Sequence, residues 1–164
     1  MNRFALATLS AMLLAGCAAP QVKRVAIMDF ENATGNPANE GLSLAVPEYL
    51  MGIMANEKPI SLIERQDMNR YLGARYGDDF KRLRYDRWRE IGQRLRADYF
   101  ITGSVSMLEN NFIVTARLYS VATGQVVPGS AKTVSCARAA DIYPSMRPLS
   151  EWFVYQIKHR QPSS

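Results

Sequence analysis

Two cysteines, Cys17 and Cys136, and a single histidine, His159, are few for 164 residues. A structural Cys/His zinc site takes four such ligands, so that chemistry is excluded. A nucleophile served by histidine would depend on a residue five places from the C-terminus, which argues against an enzyme. Long apolar runs are also missing. The most apolar stretch, residues 4–14, is eleven residues long, whereas a membrane-spanning helix takes about 20. Internal repeats and low-complexity tracts are absent. With 48% hydrophobic and 21% charged residues the composition is that of a folded protein, and the length allows one core and not two.

The chain begins with a leader. Arg3 supplies a positive end to the apolar residues 4–14, so residues 1–16 read as a secretion signal. They run into Leu14-Ala15-Gly16-Cys17, which resembles the lipobox of bacterial lipoproteins. The resemblance implies cleavage before Cys17 and acylation of its thiol and amine. Ala18 in place of Asp implies onward sorting to the outer membrane, on its periplasmic face. Acyl chains anchor by about 0.8 kcal/mol for each buried methylene. Residues 17–22 are then a lipidated N-terminus with a short tether, since residues 18–22 extend over roughly 17 Å at most. Lipidation consumes Cys17 and leaves Cys136 without an intramolecular partner, as a buried apolar residue.

Residues 23–160 form the domain, with 161–164 a C-terminal tail. The run 23–30 (KRVAIMDF) is apolar on both alternating faces and predicts a central strand. Residues 32–39 (NATGNPAN) are turn chemistry. A helix follows in 41–56, with Pro47 expected to kink it or to move its start toward residue 46. Residues 60–63 read as a short strand. Asp67 is placed to cap a helix through Tyr71 and Leu72, and the glycines of 73–79 interrupt it. Trp88, Ile91 and Leu95 mark an amphipathic helix over 85–97. Strands are expected at 98–108, 111–121 and 125–134, joined at Glu109-Asn110 and Ala122-Thr123-Gly124 into an antiparallel meander. Ile142, Met146, Leu149, Phe153 and Ile157 predict a helix over 141–159, frayed or kinked by Pro144 and Pro148. The order β-α-β-α-α-β-β-β-α describes an α/β (α+β) single domain, a mixed sheet of about five strands with packed helices.

VAIMDFENATGN, then ISLIERQDM, IGQRLRADYFITGSV and ARLYSVATGQVV, together resemble one family. It is the domain shared by the curli-secretion lipoprotein, the N-terminal domain of TolB, flagellar outer-membrane lipoproteins and the lipoprotein of Pel exopolysaccharide export. The resemblance spans residues 23–134 and implies an anticodon-binding-domain-like, TolB N-terminal-like fold. It also implies a non-enzymatic periplasmic role in homo-oligomeric rings, with an outer-membrane export channel protein and an exopolysaccharide as partners and no cofactor. The last three strands are all needed by the core sheet, so none remains to build a pore as the curli lipoprotein does. The long tether of the cell-wall-synthase activator in this fold family is missing. The compact Pel-type lipoprotein is therefore the expected match, with a curli-like or flagellar outer-membrane secretion and assembly lipoprotein, or a cell-wall-synthase activator, as the alternative.

Without Arg3 the chain keeps 19 basic and 15 acidic residues. Ten of the basic ones fall within 65–96, centred on Arg82, Arg84, Arg87 and Arg89. Export excludes nucleic acid as their partner and leaves anionic lipid head groups, an acidic protein or a neighbouring subunit, or else a solvated face with Asp86 and Glu90 paired to Arg94. Trp152 lies about 100° from the apolar stripe of the last helix, which suits a membrane-interface anchor, a cover for the flank of the core or a subunit contact; the resemblance to the Pel-type lipoprotein implies the anchor. Asp29 and Glu31 share a strand face as a glycosidase pair might, but the simpler role of Asp29 is to tie down the NATGN turn. Neither a catalytic residue nor a metal site is expected.

Overall fold

Val25, Ala26 and Ile27 are at most 2% exposed, so the first strand is covered on both faces, as its unbroken apolarity predicts. A computed structural model describes residues 21–76 and 85–160. The strands are β1 (Lys23–Ile27), β2 (Glu31–Ala33), β3 (Ile60–Leu62), β4 (Tyr99–Leu108), β5 (Asn111–Ser120), β6 (Gln125–Val126) and β7 (Lys132–Cys136). The helices are α1 (Glu40–Met54), α2 (Arg65–Tyr76), α3 (Tyr85–Leu95) and α4 (Ile142–His159), with short 3-10 turns at Pro37–Asn39 and Ala139–Asp141.

The sheet order is β3-β1-β4-β5-β6, with β2 on β4 and β7 on β5. β1 pairs with Tyr99 to Ile101 and β2 with Ser104 to Ser106, both parallel and on the same side of β4. β6 and β7 likewise share the far side of β5. The seven strands thus occupy five lanes. The three lanes on the β3 side are parallel and the other two alternate.

Alternation along the strands feeds two cores. Val25, Ile27, Ile101, Val114 and Leu118 face Val46, Leu50 and Met54 of α1 and Met146, Leu149 and Phe153 of α4. Ala26, Met28, Phe100 and Tyr119 face Met68 and Leu72 of α2 and Trp88 and Ile91 of α3. The result is a three-layer mixed α/β domain with α1 and α4 on one face and α2 and α3 on the other. Cys136 is free and buried, as its apolar context predicts.

Four local expectations are corrected. The strand foreseen over 23–30 ends at Ile27 and resumes at Glu31, inside what reads as turn sequence. In between, Met28 N–H still reaches Ile101 O at 2.9 Å, while Asp29 leaves the lane for another partner. The strand foreseen over 125–134 is also broken, because Val127-Pro128-Gly129-Ser130 carries Pro at the second and Gly at the third turn position. Gly129 has φ +68° and Ser130 N–H donates to Val127 O at 3.1 Å, the type II pattern. Ser130 Oγ repairs the ladder: it accepts Leu118 N–H at 3.0 Å and donates to Leu118 O at 3.3 Å.

Pro47 neither starts nor stops α1, which begins at Glu40. A proline in a helix leaves the carbonyl four residues back without its donor. Here that carbonyl is Ser43 O, and Phe30 N–H occupies it at 3.0 Å. Finally, α2 begins at Arg65, so Asp67 lies in its first turn and not at its cap, and Gly73 sits inside the helix without ending it. α4 keeps its expected length, with Pro148 inside it.

Candidate functional site

Three surfaces carry the polar and aromatic chemistry. The first lies at the carboxyl ends of the parallel strands, where open α/β sheets bind ligands. Asp29 follows β1, Arg65 opens α2 and Glu48 projects from α1. Arg65 Nη2 is 2.6 Å from Asp29 Oδ1 and Nε is 2.8 Å from Glu48 Oε1. Arg65 and Asp29 are 18% and 26% exposed. Both approaches are close but oblique, short of hydrogen-bond geometry at Asp29 Oδ1 and at the Arg65 nitrogens. Asp29 is therefore the counter-ion of Arg65, not the clasp of the NATGN turn. Asn32 is the clasp: its Oδ1 accepts from Thr34 N (3.1 Å) and Thr34 Oγ1 (2.7 Å), and its Nδ2 donates to Asn36 O at 3.1 Å. An asparagine in a row of turn residues gives no sign of which one organises the loop.

The second surface is the outer side of α1 and α4. Gly52, Ile53, Tyr143, Arg147, Glu151 and Tyr155 line a shallow groove of about 470 Å³. Tyr143 and Tyr155 are more than half exposed, and Tyr143 meets Tyr49 edge-on at 5.0 Å. Tyr155 stacks on His159 at 4.3 Å and on Trp152 at 6.4 Å.

Trp152 is half-buried against the α1/α4 core. Its indole N–H donates to Ser130 O at 3.1 Å, and Lys132 Nζ lies 5.4 Å from its ring centroid. The side chain thus straps α4 to the turn that splits the last lane, with its one polar atom already engaged. Trp152→Phe keeps the aromatic body and removes this bond, and is expected to cost about 1 kcal/mol, read as a lower urea midpoint at unchanged slope.

The third surface is the basic face of α3. Arg87 and Arg89 are exposed; Arg82 and Arg84 lie outside the described residues, as does Cys17. Glu90 is 3.5 Å from Arg75 and 3.8 Å from Arg87, so it ties α3 to α2 in place of the expected pairing with Arg94. Arg89 makes no ion pair among the described residues, and its stem lies along the turn at Gly124. At Arg138 the guanidinium holds the Asp141 carboxyl below the usual carboxylate range through two hydrogen bonds, 3.0 and 2.9 Å. No group of three or more metal-ligating side chains occurs among the described residues, and none of their helices is long and apolar enough to cross a membrane.

A family model described as FlgO protein matches residues 7–138, well over half of the chain. The chain belongs to the FlgO family. The matched span takes in the lipobox-like Leu14-Ala15-Gly16-Cys17 as well as both halves of the sheet. A comparison of this FlgO-family chain with curated proteins finds no match. Among solved structures, the LpoB C-terminal domain from Escherichia coli is 19% identical with a TM-score of 0.56, covering 76% of this chain and 90% of that one. TolB from Acinetobacter baumannii is 16% identical with a TM-score of 0.52 over 87% of this chain and 30% of its own. The PelC dodecamer from Paraburkholderia phytofirmans is 12% identical with a TM-score of 0.50 over 79% of this chain and 87% of that one. At these identities the likeness is one of fold, and it is the fold expected from the resemblance over residues 23–134. PelC shares the fold of this FlgO-family domain, while the family itself is FlgO.

Proposed function

We propose that this FlgO-family chain is a non-enzymatic lipoprotein, anchored through Cys17 to the periplasmic face of the outer membrane, that oligomerises as part of a secretion or envelope assembly. The family match over residues 7–138 is the observation that carries this reading. The lipobox-like tetrapeptide and the short tether support it. Cys17→Ser removes the acyl acceptor. The expected result is loss of palmitate incorporation, accumulation of the leader-bearing precursor and disappearance of the protein from the outer-membrane fraction. Unchanged labelling and fractionation would overturn the anchor.

Two finer roles share this frame. Membership of the FlgO family favours the flagellar outer-membrane branch of the resemblance. Pel-type exopolysaccharide export, with a ring beneath a partner channel, draws support from the fold likeness to PelC, which forms a dodecamer. A deletion strain separates them: loss of motility with normal polymer secretion favours the first, and the reverse outcome favours the second. Intact oligomers by cross-linking in native membranes are expected under both.

A further inference from the structure

The charges of the described domain are sorted by end. β1, β3 and β4 all start at the end where the chain enters, and three helix C-termini gather there. Lys158 of α4 meets Glu57 beyond α1 at 3.2 Å. Arg24 donates to Leu95 O at the end of α3 at 3.3 Å. Arg24, Lys58, Arg96 and Lys158 are exposed there and Arg160 is half-buried. Of the carboxylates at this end, Glu57 is bound by Lys158 and Asp98 accepts the Arg24 backbone N–H at 2.7 Å. At the opposite end lie Asp29, Glu31, Glu40, Glu64, Asp67 and Glu109, with Arg65 held against Asp29 and Arg138 paired with Asp141.

Chain length then decides which end can meet a bilayer. Five residues, 18–22, lie between Cys17 and Lys23, so the two Cα atoms are at most about 20 Å apart when the tether is fully extended. The ten residues of β4 span about 33 Å. A lipid at Cys17 therefore holds the basic end toward the membrane and the acidic end away from it. Val22 and Tyr155, both more than half exposed, add an apolar contact and an amphipathic ring at the basic end, the composition that suits a headgroup layer.

We infer that the basic end built by Arg24, Lys58, Arg96, Lys158 and Arg160 is a membrane-apposed surface that binds anionic phospholipid head groups in the bilayer. The orientation rests on the lipidation proposed above; the binding does not, and is tested without it. Every core residue among the described residues lies within 25–157, so a chain starting at Ala18 keeps the whole described core. The experiment measures co-sedimentation of that chain with phosphatidylethanolamine vesicles containing or lacking phosphatidylglycerol.

Binding is expected only with phosphatidylglycerol, and to weaken with salt. Each basic side chain near such a surface strengthens binding about fivefold, so Lys58→Gln with Arg96→Gln is expected to weaken it about 25-fold. Neither residue makes a side-chain ion pair among the described residues, so the fold is not at stake, and circular dichroism checks it. Arg70→Gln with Arg147→Gln removes the same charge elsewhere and is expected to change binding less than twofold. Equal losses in both pairs, or binding indifferent to phosphatidylglycerol, overturn the inference. So does self-association that the first pair abolishes without vesicle binding, which would give this end to the acidic end of a second copy. Failure of Cys17 labelling with vesicle binding intact would remove the anchor and leave the surface.

Discussion

Gly103→Ala is expected to lower stability by about 3 kcal/mol or more, at the upper end of overpacking costs. Gly103 faces Ala116 across β4 and β5. A Cβ built there strikes Thr115 O, a backbone atom of the neighbouring strand, and comes within 2.6 Å of the Phe30 ring. Neither obstacle can rotate away: the first is part of the ladder, and Phe30 is 3% exposed in the core. The measurement is urea unfolding followed by far-ultraviolet circular dichroism. Gly92→Ala makes a useful contrast, because its obstacles are the two γ-methyl groups of Val121 and, at 3.0 Å, Cε2 of Phe100. Shortening Val121 to Ala makes room, so Gly92→Ala is expected to be less harmful in a Val121→Ala chain, with a coupling of about 1 kcal/mol or more. The same rescue is not expected for Gly103→Ala with Phe30→Leu, since Thr115 O remains. A stable Gly103→Ala protein would mean that β4 and β5 sit farther apart than described.

Arg65→Met is expected to cost about 2–3 kcal/mol. Removing one partner of a fully buried pair costs about 3–5 kcal/mol, and solvent reaches this site in part, with Asp29 at 26% and Glu48 at 54% exposure. The substitution leaves two carboxylates, Asp29 after β1 and Glu48 on α1, beside an apolar side chain. It also unties α2 from the opposite layer, because Arg65 is where the two helical layers meet around the top of the sheet. Asp29→Asn added to Arg65→Met is expected to recover part of the loss, and the double-mutant cycle should give a coupling of about 1–2 kcal/mol. Simple additivity in that cycle would reduce the cluster to a surface contact.

How these elements could be read from sequence differs from case to case. The apolar runs of β1, β4 and β5 and the stripe of α4 carry their period openly, and their bounds agree with the structure to within a few residues. Glu109 at φ +49° and Gly124 at φ +71° stand in the turns foreseen for them. The split of the last lane was legible as Pro128-Gly129, but a strand-forming sequence on both sides masks it. The Asp29, Glu48 and Arg65 cluster was not legible, since its members are 17 to 36 positions apart and nothing local marks an arginine as a counter-ion for two other elements. The flank position of Trp152 was visible on the helical wheel. Its bond to Ser130 depends on a turn that periodicity does not reveal. Charge sorting is hidden for a simpler reason: the basic residues cluster in the chain over 65–96, while the ends of the sheet are assembled from residues far apart in sequence.

The proline in the first helix has a further implication. Restoring an amide at position 47 would do more than regularise the helix, because the new donor and Phe30 N–H would compete for one oxygen. Pro47→Ala, a change normally counted as favourable inside a helix, should here loosen the seam between α1 and the sheet, and should do so first as faster hydrogen exchange at Phe30. A residue usually regarded as a breaker of regular structure here frees the oxygen through which the backbone of α1 is bonded to Phe30, beside the apolar packing that joins the two layers.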